Sequence, residues 1–161
     1  PMTLECLQES DEKRKALSKV IHNAHTFFKV GLNPVRNNLE LMQRIDFFFE
    51  ECERTQQLPT VEKMCLCIGY PCDTVRHWRE GKSNRDGWVD SNTMMILNKT
   101  RDICHAMDAE LAAEGKIQPV VYFFRSKNYY GMRDQQDVVI TPEIKEVNTE
   151  KLIEDAKLLP D

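Results

Sequence analysis

A short basic segment, residues 74–85, carries the side chains of this sequence that are best suited to contact a nucleic acid. Arginine and lysine attract phosphates, and arginine can donate two parallel hydrogen bonds to guanine. We predict that Arg76 or Arg79 takes the guanine role. The alternative is a solvated helical face, and the neighbouring Asp73 carboxylate would repel phosphate. The predicted DNA-binding residues are Thr74, Arg76, His77, Arg79, Lys82 and Arg85.

Three other groupings resemble chemical motifs but lack the required spacing. They are Cys65, Cys67 and Cys72 with His77; Gly81-Lys82-Ser83; and the four histidines at positions 22, 25, 77 and 105. Cys-x-Cys on a helix directs the two sulfurs about 200° apart, which does not suit a zinc knuckle. A phosphate-binding loop would need its first glycine at Arg76 and a preceding strand. We therefore predict no catalytic site, no metal site and no cofactor, and so not an enzyme.

Two short helices around a tight turn are predicted to position the basic segment. Thr60 can cap a helix over about 61–68, and Gly69-Tyr70-Pro71 breaks that helix. A second helix opens at Cys72 or Asp73 and reaches Glu80. Its spacing turns Tyr70, Val75 and Trp78 inward. Residues 60–80 therefore predict a helix-turn-helix, whose second helix would enter the major groove of DNA.

Apolar residues at helical spacing predict five more helices, near residues 10–31, 38–55, 91–115, 119–131 and 149–159. Asn38 and Ser91 are the expected caps of the second and the long helix. We expect an all-α fold, a helix-turn-helix core with long additional helices and a short C-terminal strand, Val138-Val139-Ile140, in a tail. The expected buried stripes are Leu17, Val20, Ile21, Ala24, Phe27 and Phe28; Leu41, Ile45, Phe48, Phe49 and Cys52; and Met95, Ile96, Ile103, Met107 and Leu111.

Composition and charge limit the class of protein. Hydrophobic residues make up 41% and charged residues 30% of the 161 residues, which suits one small core with appendages. Apolar runs are too short for a membrane span, and no signal peptide is apparent, so we expect a soluble cytoplasmic protein. The six cysteines are expected to be small buried residues. Residues 132–161 carry four basic and eight acidic residues, which equals the net charge of −4.

Four regions follow from these patterns. They are an N-terminal helical arm (1–36), a helix-turn-helix DNA-binding domain (37–90), a region of long helices that we expect to mediate oligomerisation (91–131) and an acidic C-terminal tail (132–161). The long helices and the apolar start of the helix at Pro119 could instead fold against the second helix. The basic face of the arm, Lys13, Arg14, Lys15 and Lys19, could touch DNA or be solvated. The tail could dock a partner or be solvated.

The order of these motifs resembles that of the small terminase subunits of tailed bacteriophages and prophages. The resemblance rests on residues 58–69, on Thr74-Val75-Arg76-His77-Trp78, on the long helix and on the phrase Tyr130-Gly131-Met132-Arg133-Asp134-Gln135. In that family the phrase aromatic-Gly-x-[Arg/Lys]-Asp-[Lys/Gln] precedes a short Val-rich strand and Thr-Pro, as it does here up to Pro142. The likeness covers about residues 37–142. Pro71 and Cys72 depart from it, because the family more often has a serine cap and a basic residue there.

The resemblance implies a non-enzymatic DNA-packaging protein in the cytoplasm of a bacterial host. Such a protein binds double-stranded DNA at the packaging start site, assembles as a homo-oligomer that can be a ring, and recruits a large terminase subunit that carries the ATPase and nuclease. Two alternatives stay open from the residues alone. One is a helix-turn-helix transcription regulator, which should be a dimer that binds two half-sites. The other is an adaptor whose helical corner contacts protein.

Overall fold

The computed structural model describes residues 4–82, 87–133 and 149–158, with only the backbone over 149–152. In these residues there are helices and no strand, so the predicted all-α class is confirmed. The predicted strand Val138-Val139-Ile140 lies outside the described residues. The helices are α1 (Leu4–Gly31), α2 (Asn38–Thr55), α3 (Val61–Ile68), α4 (Cys72–Arg79), α5 (Ser91–Ala113), α6 (Pro119–Tyr129) and α7 (Thr149–Lys157).

The helices begin where a side chain can accept the first unpaired backbone N–H groups. The Asn37 side chain accepts from the amide of Glu40, and Thr60 accepts from the amide of Lys63, as predicted for Thr60. Asp90 and Thr93 form a reciprocal capping box at the start of α5. The predicted caps Asn38 and Ser91 were each one residue late, because an adjacent Asn or Asp takes the role.

One hydrophobic core joins residues of the first five helices. Phe27 of α1, Phe48 of α2, Ile68 of α3, Trp78 of α4 and Leu97 of α5 are all essentially inaccessible to solvent. The predicted stripe of α2 is confirmed, with Phe49 partly buried against this core. None of the helices in the described part of the chain is both long and apolar enough to cross a membrane.

Helices α1 and α3 cross with their backbones in contact at two glycines. A Cβ atom on Gly31 would lie 1.8 Å from the carbonyl oxygen of Leu66, and one on Gly69 would lie 2.4 Å from the carbonyl oxygen of Gly31. Gly69 also has a φ of +88°, a left-handed conformation that ends α3 and that favours glycine. This crossing holds the end of α1 against the turn that precedes α4.

The first five turns of α1 have no partner within the described chain. None of residues 4–22 is buried, and burial begins at Asn23, whose side-chain amide donates to the Thr55 hydroxyl. The predicted burial of Leu17, Val20, Ile21 and Phe28 was therefore wrong, and of that stripe only Phe27 is fully buried. Helical spacing identifies a face that can be buried, but it does not supply the surface that would cover it.

The buried side of α5 also differs from the expected one. Met95 and Ile103 are each 50% exposed, whereas the predicted members Ile96, Met107 and Leu111 are half-buried. The buried row is Thr93, Leu97, Thr100, Cys104 and Asp108. Three of these five residues are polar, and each has a hydrogen-bond partner: the Thr100 hydroxyl, for example, donates to the carbonyl oxygen of Ile96. Hydrophobicity alone therefore missed the polar residues of the buried row and predicted the burial of Met95 and Ile103 wrongly.

The cysteines divide into two groups. Cys52, Cys65, Cys67 and Cys104 are buried, as predicted, and Cys6 and Cys72 are exposed, which contradicts the prediction for those two. Cys6 lies on the unpartnered part of α1. Cys72 is the first residue of α4, where the helix leaves the turn. Its place beside the basic segment makes it part of the site described below.

The beginning of α6 carries an uncovered apolar surface. Val120 is 75% exposed, Phe124 is 63% exposed, and Val121 and Phe123 are also largely open to solvent. The alternative that the long helices fold against α2 is therefore wrong for these residues, but α5 does pack on α2, where the Thr93 hydroxyl donates to the Asn38 side chain. Contiguous exposed apolar surface of this kind is characteristic of a surface that binds another molecule.

Candidate nucleic-acid interface

Helices α3 and α4 form a tight helical corner, residues 61–79. The backbone N–H of Gly69 donates to the carbonyl oxygen of Cys65, which closes α3, and the chain turns through Gly69, Tyr70 and Pro71 before α4 begins. Pro71 occupies the N-cap position of α4 and makes no side-chain capping bond. The two eight-residue helices are thus joined by three residues, the shortest connection between helices in the described part of the chain.

Aromatic packing fixes α4 in this corner. Val75 and Trp78 are buried, at 4% and 0% exposure, as the spacing of the second helix predicted. The Trp78 ring packs edge-on against Tyr70, with ring centroids 4.5 Å apart, and against Trp88 at 5.2 Å. The Tyr70 hydroxyl donates to the carbonyl oxygen of Val35, so the turn is also tied to the loop before α2. With this side of α4 buried, its other side is available to solvent.

The predicted DNA-binding residues do not all have the same surroundings. Arg76 is exposed, and its guanidinium lies 3.0 Å from an Asp73 carboxylate oxygen one turn earlier. Lys82 is also exposed and is paired with Glu80 at 2.6 Å. Two of the cations are thus partly neutralised by their own neighbours in sequence. Thr74 and His77 are half-buried on α4, and Arg85 lies outside the described residues.

Arg79 points away from the most exposed side of α4. It is half-buried and lines a cavity of about 250 Å³ between α3, α4, α5 and α6, together with Arg76 and with Arg101 of α5. Burial lowers the pKa of Arg79, and the positive charge of Arg101 lowers it further. Sequence reasoning missed Arg101. The available signal was its position four residues after Leu97, on the side of α5 that proved to be buried.

Two thiols meet at the junction of the corner and this cavity. The Cys65 thiol hydrogen-bonds to Cys72, and this contact is the largest cause of the lowering of the pKa of Cys72 to about 7. The same contact, with burial, raises the pKa of Cys65. The contact therefore favours ionisation of Cys72 over that of Cys65, beside the arginines that line the cavity.

A buried ion pair anchors α6 to α5 beside the corner. The Arg125 guanidinium donates to both carboxylate oxygens of Asp108, at 2.6 and 3.0 Å. It also donates to the carbonyl oxygen of Pro59, at 3.3 Å. The Tyr130 hydroxyl donates to Asp108 at 3.0 Å, and the Tyr130 ring stacks on His105. Burial lowers the pKa of Arg125, but the hydrogen bonds and charge of Asp108 outweigh it and raise the pKa.

This network explains part of the terminase-like phrase in structural terms. Tyr130 is the aromatic residue of that phrase, and its hydroxyl donates a hydrogen bond to the Asp108 carboxylate beside Arg125. Tyr129, its neighbour, donates a hydrogen bond to Glu62 at the start of α3. The phrase therefore begins where α6 is fastened to the helical corner. Sequence reasoning missed Asp108 and Arg125, whose only signal was a charge within each helix's apolar pattern.

Comparison with models of known protein families, with curated proteins and with solved structures found no match for this chain.

Proposed function

We propose that this chain binds double-stranded DNA through α4 and acts as the DNA-recognition subunit of a phage genome-packaging complex. The observation that carries the proposal is the geometry of the helical corner. α3 supports α4 across a three-residue turn, Val75 and Trp78 hold α4 by one side, and Arg76, Thr74 and His77 lie on the remaining surface. A short helix presented in this way has the dimensions to enter a major groove.

Arg76 is the residue that we expect to contact DNA most directly. Its pairing with Asp73 is exposed, because the side chains of Arg76 and Asp73 are 51% and 82% accessible. Exposed pairs of this kind stabilise a protein by at most about 1 kcal/mol, so a phosphate or a guanine edge can replace the carboxylate. The same argument applies to Lys82 and Glu80. Asp73 then acts as a weak competitor of DNA.

The packaging role and the oligomer rest on two further supports. One is the resemblance of the motif order to small terminase subunits, in which a separate large subunit carries the ATPase and nuclease. The other is uncovered apolar surface, because Val120 and Phe124 of α6 and Leu17 of α1 are all more than half exposed. Burying such side chains between copies removes apolar area from water, which stabilises an assembly. We propose a ring of identical subunits.

Duplex titration at several salt concentrations tests the DNA contact. Arg76→Ala should weaken binding by about tenfold and reduce the slope of log affinity against log salt by about one. Asp73→Asn should strengthen binding, because it removes the competing carboxylate. Lys116→Ala is the matched control, since Lys116 is exposed and paired with Glu114 as Lys82 is with Glu80, but it follows α5, outside the corner. Binding that ignores salt and both corner variants would contradict the proposal and favour a protein-binding adaptor.

Native mass spectrometry tests the assembly separately. A packaging subunit should give a closed oligomer larger than a dimer, and Phe124→Ser should shift it towards smaller species while the free chain stays folded. A stable dimer that binds DNA would instead indicate a transcription regulator with two half-sites.

A further inference from the structure

The cavity between α3, α4, α5 and α6 combines positive charge with apolar residues. Arg76, Arg79 and Arg101 all line it. Its apolar wall includes Val61, Met64, Leu97 and Phe124. Ligand sites generally combine a mostly apolar cavity with a few convergent polar groups. This cavity has both parts, and positive side chains outnumber negative ones in its lining.

Arg79 and Arg101 are held together by the packing of α4 on α5. The side-chain amide of Asn98 donates to the carbonyl oxygen of Arg79 at 3.2 Å, which seats the end of α4 on α5. Arg101 follows Asn98 by three residues and therefore lies on the same side of α5, one turn further along. The backbone contact thus places the two guanidinium groups in one cavity, although like charges repel.

The acidic groups nearby do not neutralise this pair. No carboxylate of the described residues lies within ion-pair distance of Arg79, and Arg101 pairs only with Asp102, an exposed neighbour in sequence at 3.2 Å. Asp73 lines the cavity but is paired with Arg76. The positive charge that remains is shielded from water, since Arg79 is half-buried and the Arg101 side chain is 28% exposed.

We propose that this cavity binds a phosphate monoester, with its phosphate on Arg79 and Arg101 and its organic part on the apolar wall. A phosphate dianion matches the planar, forked donors of two guanidinium groups and relieves their repulsion. The cavity is larger than a bare phosphate needs, and Phe124, Leu97 and Met64 offer no strong hydrogen bonds to water in the remaining space. The proposal does not depend on the binding of duplex DNA by the chain.

Calorimetric titration with inorganic phosphate and phenyl phosphate, at constant ionic strength, tests this site. Phenyl phosphate should bind more tightly than phosphate, because its ring adds apolar contact. Arg79→Met and Arg101→Met should each weaken binding of both by about tenfold, a loss of about 1.4 kcal/mol. Arg101→Lys keeps the charge without the fork and should fall between wild type and Arg101→Met. Lys116→Met is the control and should bind as wild type does.

Thermal unfolding with and without ligand keeps the test independent of folding defects. Wild-type protein should gain thermal stability on addition of phenyl phosphate, and a folded Arg79→Met variant should not. The proposal is overturned if neither compound binds at millimolar concentration, or if the arginine variants and Lys116→Met bind equally. If phosphate binds but phenyl phosphate binds no more tightly, the assigned role of the apolar wall is wrong.

A duplex titration in the presence of saturating phenyl phosphate distinguishes two sources of the phosphate group. Weaker duplex binding would show that the cavity takes a phosphate of the DNA backbone, and unchanged duplex binding would indicate a separate small ester. Because the calorimetry uses no DNA, failure of the proposed DNA function leaves this site testable. Failure of the phosphate site likewise leaves the Arg76 test of DNA binding intact.

Discussion

Two clusters around arginine lie along α5, two helical turns apart. They differ in whether a carboxylate pairs with the shielded positive charge. At Asp108, Arg125 is paired in two hydrogen bonds and is closed off by Tyr130. At Arg101, a second arginine, Arg79, enters the same cavity without a carboxylate of its own. Burying a charge is costly unless it is paired, so the first cluster is complete within the chain and the second is not. The presence or absence of a paired carboxylate, rather than the degree of burial, therefore distinguishes a structural cluster from a candidate site.

The largest expected effect concerns the complete cluster. Arg125→Met should lower the free energy of unfolding by about 3–5 kcal/mol, because it leaves the Asp108 carboxylate buried and unpaired. Asp108 is fully inaccessible to solvent, so water cannot take the place of the guanidinium. Denaturant-induced unfolding, monitored by circular dichroism, measures the loss.

A double variant provides the control for this prediction. Arg125→Met combined with Asp108→Leu removes both charges, and it should be less destabilised than Arg125→Met alone. If Arg125→Met changed the free energy of unfolding as little as a surface substitution does, Asp108 would not be buried and paired as described. The Arg125 cluster would then not be a paired, structural one.

The next effect follows from the pKa of Tyr130, which burial and then the charge of Asp108 raise above its ordinary value of 10.0. The unfolded chain loses this proton near pH 10 while the folded chain keeps it. The contribution of Tyr130 is therefore fully present below pH 10 and is lost as the pH rises further. Tyr130→Phe should cost about 1–2 kcal/mol at pH 7 through its lost hydrogen bond.

The pH profile gives a readout that simple loss of packing would not change. The stability of Tyr130→Phe should fall less steeply than that of wild type between pH 10 and 11, by up to about 1.4 kcal/mol per pH unit. Tyr122→Phe is a suitable control, because Tyr122 lies on α6, the helix that Tyr130 follows. Parallel profiles for wild type and Tyr130→Phe would show that the Tyr130 hydroxyl is not shielded beside Asp108.

The incomplete cluster should respond with the opposite sign. Without a bound anion, Arg101→Met should leave the free energy of unfolding unchanged or raise it by up to about 1 kcal/mol, because it removes repulsion from Arg79. Arg101→Lys keeps the charge and should show no gain. The measurement is denaturant unfolding in a buffer of monovalent ions only. If Arg101→Met lowered the free energy of unfolding as much as Arg125→Met, Arg101 would be a structural residue. The two clusters would then not differ in the way described.

The sequence predicted the helical corner well because its signals are local. These signals act within one or two helical turns. Thr60 caps α3, Gly69 ends it, and Val75 and Trp78 are buried, as predicted. Tyr70 was expected to be buried too, but it is only partly buried. The clusters on α5 could not be predicted in this way. Arg125 contacts Asp108, 17 residues away, and Pro59, 66 residues away, and such contacts depend on how the helices pack.

The choice of buried side shows the same limit. On α5, Thr93, Thr100 and Asp108 are buried because partners on other turns or helices satisfy their polar atoms, and no hydrophobic pattern reports that. On α1, by contrast, an apolar pattern exists without a surface to cover it. Within the predicted cation set, Arg76 and Arg79 both line the cavity with Arg101, but Arg76 is exposed and Arg79 is half-buried, a difference that the sequence pattern does not report.

The smallest expected effect tests whether exclusion of water gives the Arg125–Asp108 pair its strength. Lys13 and Glu9 of α1 lie 2.6 Å apart, the same distance as the closest contact between Arg125 and Asp108, but their side chains are 75% and 65% exposed. Water screens both charges, so Lys13→Met should change the free energy of unfolding by no more than about 0.5 kcal/mol. Denaturant unfolding beside Arg125→Met measures both under one condition. A loss at Lys13 as large as that at Arg125 would mean that pairing distance, and not the absence of water, sets the strength of these contacts.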